Sequence, residues 1–411
     1  MQTEQLVFPK KILVSAGDPS GDQLLSKIIK NINLKAPGQY EFWGLAGPLS
    51  QREGVRLLVN SKDVAVVGAV EVLRNIQKIF GALKILSTSL ADSQSLICVD
   101  FPDFNFKLAQ LARKKGKPVD YIVAPQVWAW REGRIHTMKK WLRRLYPALP
   151  FEEGIFREQG VDARFMGHPL RDNLPPRNRR GAREILKIEE NEKILALFPG
   201  SRKGEIRSNL PLMIDGWEQL KKYQEKWGLR QSWTGLLTLA PSWTLEELND
   251  QLSPKYRQKM AHLLQTEWKL SFQNHASLMA SDFGWITSGT ASLEAAYYQL
   301  PHVLMYKLNF LTVKILKSLS HYFSDPNAFA GLPNILLQKR VIPELLQSDL
   351  NPRRLAAETL DLLQDPHRLD VMKKYLRWIP KKLGESGVSE RIADDLLQSW
   401  NQCCSHGQKC S

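Results

Sequence analysis

Short apolar runs, each ended by a glycine, proline or acidic turn and followed by a helical pattern, recur along the whole chain. This alternation restricts the fold to the α/β class. The clearest run is Ser95-Leu96-Ile97-Cys98-Val99-Asp100-Phe101-Pro102-Asp103-Phe104-Asn105. Its apolar residues are too continuous for a strand with one wet face and read as a strand buried on both sides. Pro102 lacks the N–H that a ladder needs, so the strand stops near Asp100. Ligands of open α/β sheets sit beyond the carboxyl ends of the strands. Asp100 therefore stands where a catalytic acid or base belongs; the competing reading is a turn aspartate that caps the next helix.

The same unit opens the chain. Lys11–Ala16 is a strand, Gly17-Asp18-Pro19-Ser20-Gly21-Asp22 its loop, and the following apolar spacing is helical. The G-x-G-x-x-G spacing of a dinucleotide fingerprint is absent. Gly17 and Gly21 would let a ligand approach the backbone, and Ser20 or Asp22 would cap the helix. Tyr40–Pro48 is a second strand and loop, and Tyr121–Ala124 and Ala163–Gly167 are further strands. Between them, residues 69–80 carry one apolar helical face, which either packs on the sheet or lies in a membrane interface. The run Arg131, Arg134, His136, Lys139, Lys140, Arg143 and Arg144, with Trp128, Trp130 and Trp141, is either a solvated helix face or a surface for anionic partners. His168-Pro169 closes the half, as a turn or an acid or phosphate contact.

Residues 173–182 are polar and proline-bearing and read as a linker. Lys193–Phe198, Gly235–Pro241, Ala280–Thr287 and a last strand, Val303–Tyr306, restart the alternation. Pro199-Gly200-Ser201-Arg202 follows the first of these. Ser288-Gly289-Thr290-Ala291 follows the third and opens a helix, whose free N–H groups and dipole suit phosphate. Phe310–Phe323 reads as an amphipathic helix, and Pro343–Trp400 as helical throughout.

A chain of 411 residues exceeds one ordinary core. The expected division is 1–172, a linker 173–182, 183–365, helices 366–400 returning to the first domain, and a tail 401–411. The net charge of +15 implies nucleic acid, an anionic membrane or phosphorylated substrates. The first residues lack a basic and then apolar leader, and no apolar run approaches the ~18 residues of a membrane span. The chain is expected to be cytoplasmic. Cys403, Cys404, Cys410 and His406 match no standard zinc spacing, and no metal site is expected.

Two α/β domains with a phosphate-type helix terminus suggest a nucleotide-dependent transferase. The stretches 15–22, 67–73, 99–105, Val127-Trp128-Ala129-Trp130-Arg131, Leu149-Pro150-Phe151-Glu152, Gly167-His168-Pro169-Leu170, 199–206, 288–294 and Leu332-Pro333-Asn334 form a series along the chain. Taken together, these motifs resemble the lipid-A-disaccharide synthase family. They run in family order from about residue 12 to 345.

The resemblance implies the GT-B fold: two Rossmann-like domains facing across a cleft, with C-terminal helices crossing back. It implies an inverting glycosyltransferase of lipid A biosynthesis. The donor would be UDP-2,3-diacylglucosamine and the acceptor 2,3-diacylglucosamine 1-phosphate, joined through its 6-hydroxyl with loss of UDP. No cofactor and no nucleic acid enter, and the partner surface is the anionic inner face of the cytoplasmic membrane. Asp100 matches the family's base, with Asp103 in support, and Arg202 the cation at the diphosphate. Glu294 would accept ribose hydroxyls, while Ser201, Ser288, Gly289, Thr290 and Ala291 would hold phosphate. Asn334 would lie near the donor, and Gly17, Ser20, Gly21 and Asp22 near the substrate. Asp18, Gln126 and Gly331 depart from the usual Glu, Ser and Ser. Rival readings are another UDP-sugar GT-B enzyme, such as a 2-epimerase, or a non-catalytic basic protein. Oligomeric state is not legible.

Overall fold

The computed structural model describes residues 9–64, 69–123, 135–228, 232–307 and 329–405. Val67 and Gly68, Gln126, the Val127–Arg131 motif, Arg134, the expected helix 310–323, His406 and Cys410 lie outside the described residues. The chain divides into two compact units. One holds the residues up to Asn173 together with those from Leu383 onward, and the other the described residues from Leu174 to Lys382.

In the first unit, β1 (Lys10–Ala16), β2 (Tyr40–Ala46), β3 (Arg56–Asn60), β4 (Ser95–Val99), β5 (Val119–Ile122) and β6 (Arg144–Tyr146) form one parallel sheet. Its order is β3-β2-β1-β4-β5-β6, so chain direction across the sheet reverses between β1 and β4. The helices α1 (Pro19–Lys35), α2 (Ala69–Ser89) and α3 (Pro102–Lys114) connect these strands. β4 shows why its sequence is continuously apolar. Leu96 and Cys98 enter one core with Phe106 and Tyr121, while Ile97 and Val99 enter the core on the opposite face with Ile28 and Leu396. Each fully buried aliphatic side chain contributes about 1.5–3 kcal/mol.

The C-terminal helix Val388–Ser405 belongs to this unit. The Asp172 carboxylate accepts the N–H groups of Gly387, Val388 and Ser389 at 2.7–2.8 Å, satisfying donors that a helix start leaves open. Farther along, Asp395 accepts from Arg144 Nη1 at 2.7 Å, Arg164 Nη1 at 2.6 Å and Tyr146 Oη at 2.7 Å. The Trp400 ring packs 4.8 Å from that of Tyr40.

The second unit repeats the plan. β7 (Lys193–Phe198), β8 (Trp233–Thr238), β9 (Trp268–Ser271), β10 (Phe283–Thr287), β11 (His302–Tyr306) and β12 (Glu344–Leu346) form a parallel sheet of order β12-β11-β10-β7-β8-β9. Its reversal lies between β7 and β10. The helices that matter for the site are α4 (Lys203–Lys226), α5 (Thr290–Tyr297) and α6 (Leu332–Leu337).

Several sequence expectations change. Ala163–Gly167 is no strand: a single bridge joins Ala163 to Leu145. The edge strand is β6, hidden within the basic run because Arg144 is spent on Asp162 and Asp395. Val303–Tyr306 is not the last strand, since β12 follows and pairs with it. β5 ends at Ile122, and Val123 turns with φ 62°. The helix Arg179–Ile185 already begins inside the stretch 173–182 read as a linker. Along α2, Ala82 and Leu86 are core residues, whereas Phe80 and Ile85 are 54% and 46% exposed.

Candidate active site

At the first reversal, the loops after β1 and β4 lie side by side. Asp18, not Ser20 or Asp22, caps α1: its Oδ1 accepts the Gly21 N–H at 2.6 Å and its Oδ2 the Ser20 hydroxyl at 3.2 Å. Asp22 is buried and accepts the N–H groups of Gly47, Leu49 and Ser50 at 2.9–3.1 Å. It stitches α1 to the short helix Pro48–Arg52. The glycines also serve packing. A Cβ on Gly21 would stand 2.7 Å from Asp18 Oδ1, and one on Gly17 would collide with the Phe101 ring. Ser20 is the exposed member of this group.

Asp100 and Phe101 adopt successive left-handed conformations, φ 46° and 52°. Each such conformation costs on the order of 1–3 kcal/mol for a non-glycine residue. α3 starts at Pro102 with Phe101 as N-cap and no side-chain capping bond, so capping is not the task of Asp100. Asp103 is exposed in the first turn, where its charge complements the helix dipole. The Asp100 carboxyl is pushed up to about 6, first by burial and then by the Asp18 charge, with the Phe101 N–H pulling the other way. A carboxylate so tuned takes a proton well near neutral pH.

At the second reversal, β7 runs into Pro199-Gly200-Ser201-Arg202 and β10 into Ser288-Gly289. Gly200 has φ 115°, a conformation that favours glycine. Glu205 Oε2 accepts the N–H groups of Ser201 and Arg202 at 2.9 and 3.2 Å, and its Oε1 meets Arg202 Nη1 at 3.2 Å. The Arg202 side chain keeps 65% of its surface in solvent. Asn209 ties the two loops by donating to Pro199 O at 3.0 Å and Thr287 Oγ1 at 3.1 Å. Gly289, φ 144°, is the N-cap of α5 and supplies no capping side chain. Ser292 N–H donates to Gly289 O at 3.3 Å and Ser288 N–H to Met305 O at 2.8 Å, so the donors this helix start leaves for an anion are those of Gly289, Thr290 and Ala291.

These loops enclose a cleft of ≈ 270 Å³ within the second unit, lined by Ser201, Arg202, Ser288, Gly289, Thr290 and Ala291, with Glu294 at one wall. Burial pushes the Glu294 carboxyl up to about 7. His275 Nε2 lies 3.9 Å from Glu294 Oε1, and burial lowers its imidazole below the usual range. A larger cavity of ≈ 560 Å³ opens elsewhere in this unit, but its Arg354 and Arg368 are paired with Glu358.

Two expected contacts sit differently. Asn334, in α6, is buried and accepts the N–H groups of Val341 and Ile342, each at 2.9 Å. It also donates to Ile342 O and Glu344 Oε1, each at 2.8 Å, so the side chain clamps a loop. His168 is the N-cap of a short 3-10 helix, its Nδ1 accepting the Leu170 N–H at 3.1 Å. Burial lowers its imidazole to about 4, which leaves it neutral and no phosphate-binding cation. Sequence reasoning did not single out Glu205, Asn209 or His275.

Comparison with known proteins decides the family. The family model described as Lipid-A-disaccharide synthetase matches residues 12–391. The lipid-A-disaccharide synthase of Myxococcus xanthus is 34% identical over 393 residues, covering 95% of this chain and 97% of that protein. That of Geobacter sulfurreducens is 33% identical, covering 94% and 97%. The chain belongs to the lipid-A-disaccharide synthase family. It is a hexosyltransferase that joins UDP-2,3-diacylglucosamine to 2,3-diacylglucosamine 1-phosphate. Two three-layer α/β units in one chain are the GT-B fold, and solved structures agree. A UDP-glucosyltransferase from Polygonum tinctorium has a TM-score of 0.58 at 12% identity, covering 97% of this chain and all of that one (100%). The calicheamicin glycosyltransferase CalG4 has 0.56 at 12%, covering 95% and 98%. Among synthase motifs, the loops 17–22 and 100–105 meet at one reversal, and 199–205 and 288–294 at the other.

Proposed function

We propose that Asp100 is the general base of this synthase and Arg202 the cation at the leaving diphosphate. The acceptor's 6-hydroxyl oxygen bonds to C1 of the donor sugar as its proton passes to the Asp100 carboxylate. The bond from C1 to the diphosphate oxygen breaks, its electron pair leaves with UDP, and configuration at C1 inverts. The observation that carries this reading is the Asp100 carboxyl itself: tuned to about 6, on a strained turn at the sheet reversal, with no capping duty.

The first unit takes the acceptor, with Ser20 near it. The second takes the donor. Ser201, the Ser288 hydroxyl and the amides of Gly289, Thr290 and Ala291 receive its phosphates, and Glu294 its ribose hydroxyls; the Ser288 N–H itself donates to Met305 O at 2.8 Å. The cleft and the uncapped start of α5 support this division. Gly17, Gly21, Asp22 and Asn334 shape these loops rather than touch substrate. Asp100→Ala and Arg202→Ala are each expected to lower turnover at least ~10²-fold in an assay of disaccharide formed from the two diacylated substrates. Wild-type turnover in either variant removes that residue from the mechanism.

The net charge of +15, and Phe80 and Ile85 standing in solvent with Lys107 Nζ 5.5 Å from the Phe80 ring, support docking of the first unit on the anionic inner face of the cytoplasmic membrane. No described helix is long and apolar enough to cross a membrane. Replacing Phe80 and Ile85 with Ser is expected to release the protein from anionic vesicles without lowering its melting temperature. Undiminished binding contradicts the surface.

A further inference from the structure

The strained turn at Asp100 is held by two buried side chains that no motif reading had assigned a task. Asn105, in α3, is fully buried, and its Nδ2 donates to Asp100 O at 2.7 Å. The same nitrogen lies 3.3 Å from both Ser15 O and Val99 O, while Oδ1 accepts the Ser15 hydroxyl at 2.6 Å. Tyr121, on β5, is also fully buried, and its hydroxyl donates to Asp100 O at 2.7 Å. Both lone pairs of one carbonyl oxygen are thereby filled, by donors from two different elements.

A carbonyl fixed on two sides fixes the peptide plane that follows it, and with it the turn that aims the Asp100 side chain. Asn105 spans the carboxyl ends of β1 and β4, so the turn is referenced to both central strands rather than to a loop. The Phe101 ring seated over Gly17 and 5.4 Å from the Phe104 ring holds the next residue of the turn.

We propose that Asn105 and Tyr121 are positioning residues for the transferase reaction, acting on the Asp100 carbonyl to hold its carboxylate in the reactive direction. This rests on Asp100 being the base. Neither residue needs to touch substrate, so their loss acts on turnover rather than on binding. A misplacement of about 1 Å at a reacting group is enough to cost up to ~10²-fold.

Tyr121→Phe is the sharper variant, because it deletes one donor and keeps the ring that packs 5.7 Å from Phe106. It is expected to fold, to lower kcat about tenfold and to leave KM for donor and acceptor unchanged. A loosened turn gives the carboxyl more water, so the acidic limb of kcat/KM moves to lower pH by roughly half a unit. Asn105→Ala should act in the same direction and more strongly; if it fails to fold, Tyr121→Phe alone decides. A folded Tyr121→Phe enzyme with wild-type kcat and an unmoved acidic limb overturns the proposal, as does a rise in KM at constant kcat. Asp100→Asn, assayed alongside, separates the two readings. If it is inactive while Tyr121→Phe is wild type, only the clamp falls. If it turns over like wild type, the base assignment falls and the clamp with it.

Discussion

The Phe101 ring occupies the space in which a side chain on Gly17 would have to stand. Two loops separated by more than eighty positions in the chain are thereby interlocked, and the glycine is there for the ring. Gly17→Ala is expected to push Phe101 out of its seat and disturb Asp100 beside it. Overpacking of this kind costs about 1–3 kcal/mol. Denaturant unfolding and a turnover assay together check this: a loss of both is expected, and a variant with native stability and turnover shows that the loops move apart freely.

Glu294 offers a pH signature. Its folded-state carboxyl sits near 7 because of burial, above its ordinary value of 4.5. Between those values the folded protein binds more protons than the unfolded chain, so this group's contribution to stability falls as pH rises from about 4.5 to about 7 and then levels off. In the proposed role, ribose hydroxyls bind the ionised form, so UDP affinity should climb through the same range. Glu294→Gln is expected to flatten both dependences, read by thermal melting and by titration calorimetry with UDP.

Asp395 anchors the C-terminal helix to β6 through Arg144 and Tyr146 and to the segment after Ala163 through Arg164, with 9% of its side chain exposed. Asp395→Ala leaves Arg144 and Arg164 with Asp162 as their carboxylate and takes this acceptor from Tyr146 Oη, and loss of hydrogen bonds to a buried charged group costs about 1–3 kcal/mol. The expected result is a large fall in denaturation midpoint, with Asp395→Asn intermediate. A change no larger than that of an exposed substitution shows that the helix is held by its apolar face alone.

The fold was legible wherever a strand is buried on both faces, as in Ser95–Val99, since no other element needs five consecutive buried residues there. It was not legible at edges. β3 is only partly buried and starts on exposed Arg56, β6 starts on a charged arginine, and β12 has three residues. Within the site, Asp100 was readable because a proline follows at the strand end. Asp22 and Asn334 read as substrate contacts because polar residues beside glycine or proline look functional. Their actual partners, the amides of Gly47 and Ile342, are set by tertiary packing. His275 escaped notice for the same reason: its tie to Glu294 exists only once two helices are side by side.

The role of Asp100 is tested most directly by the pH dependence of kcat/KM for wild type and Asp100→Asn, with UDP-2,3-diacylglucosamine and 2,3-diacylglucosamine 1-phosphate as substrates. A base must be deprotonated, so the wild-type rate should rise with pH through an apparent pKa of about 6. The Asp100→Asn enzyme should be slower by at least ~10²-fold and lose that limb. An Asp100→Asn enzyme that keeps wild-type turnover, or the same acidic limb, contradicts the account.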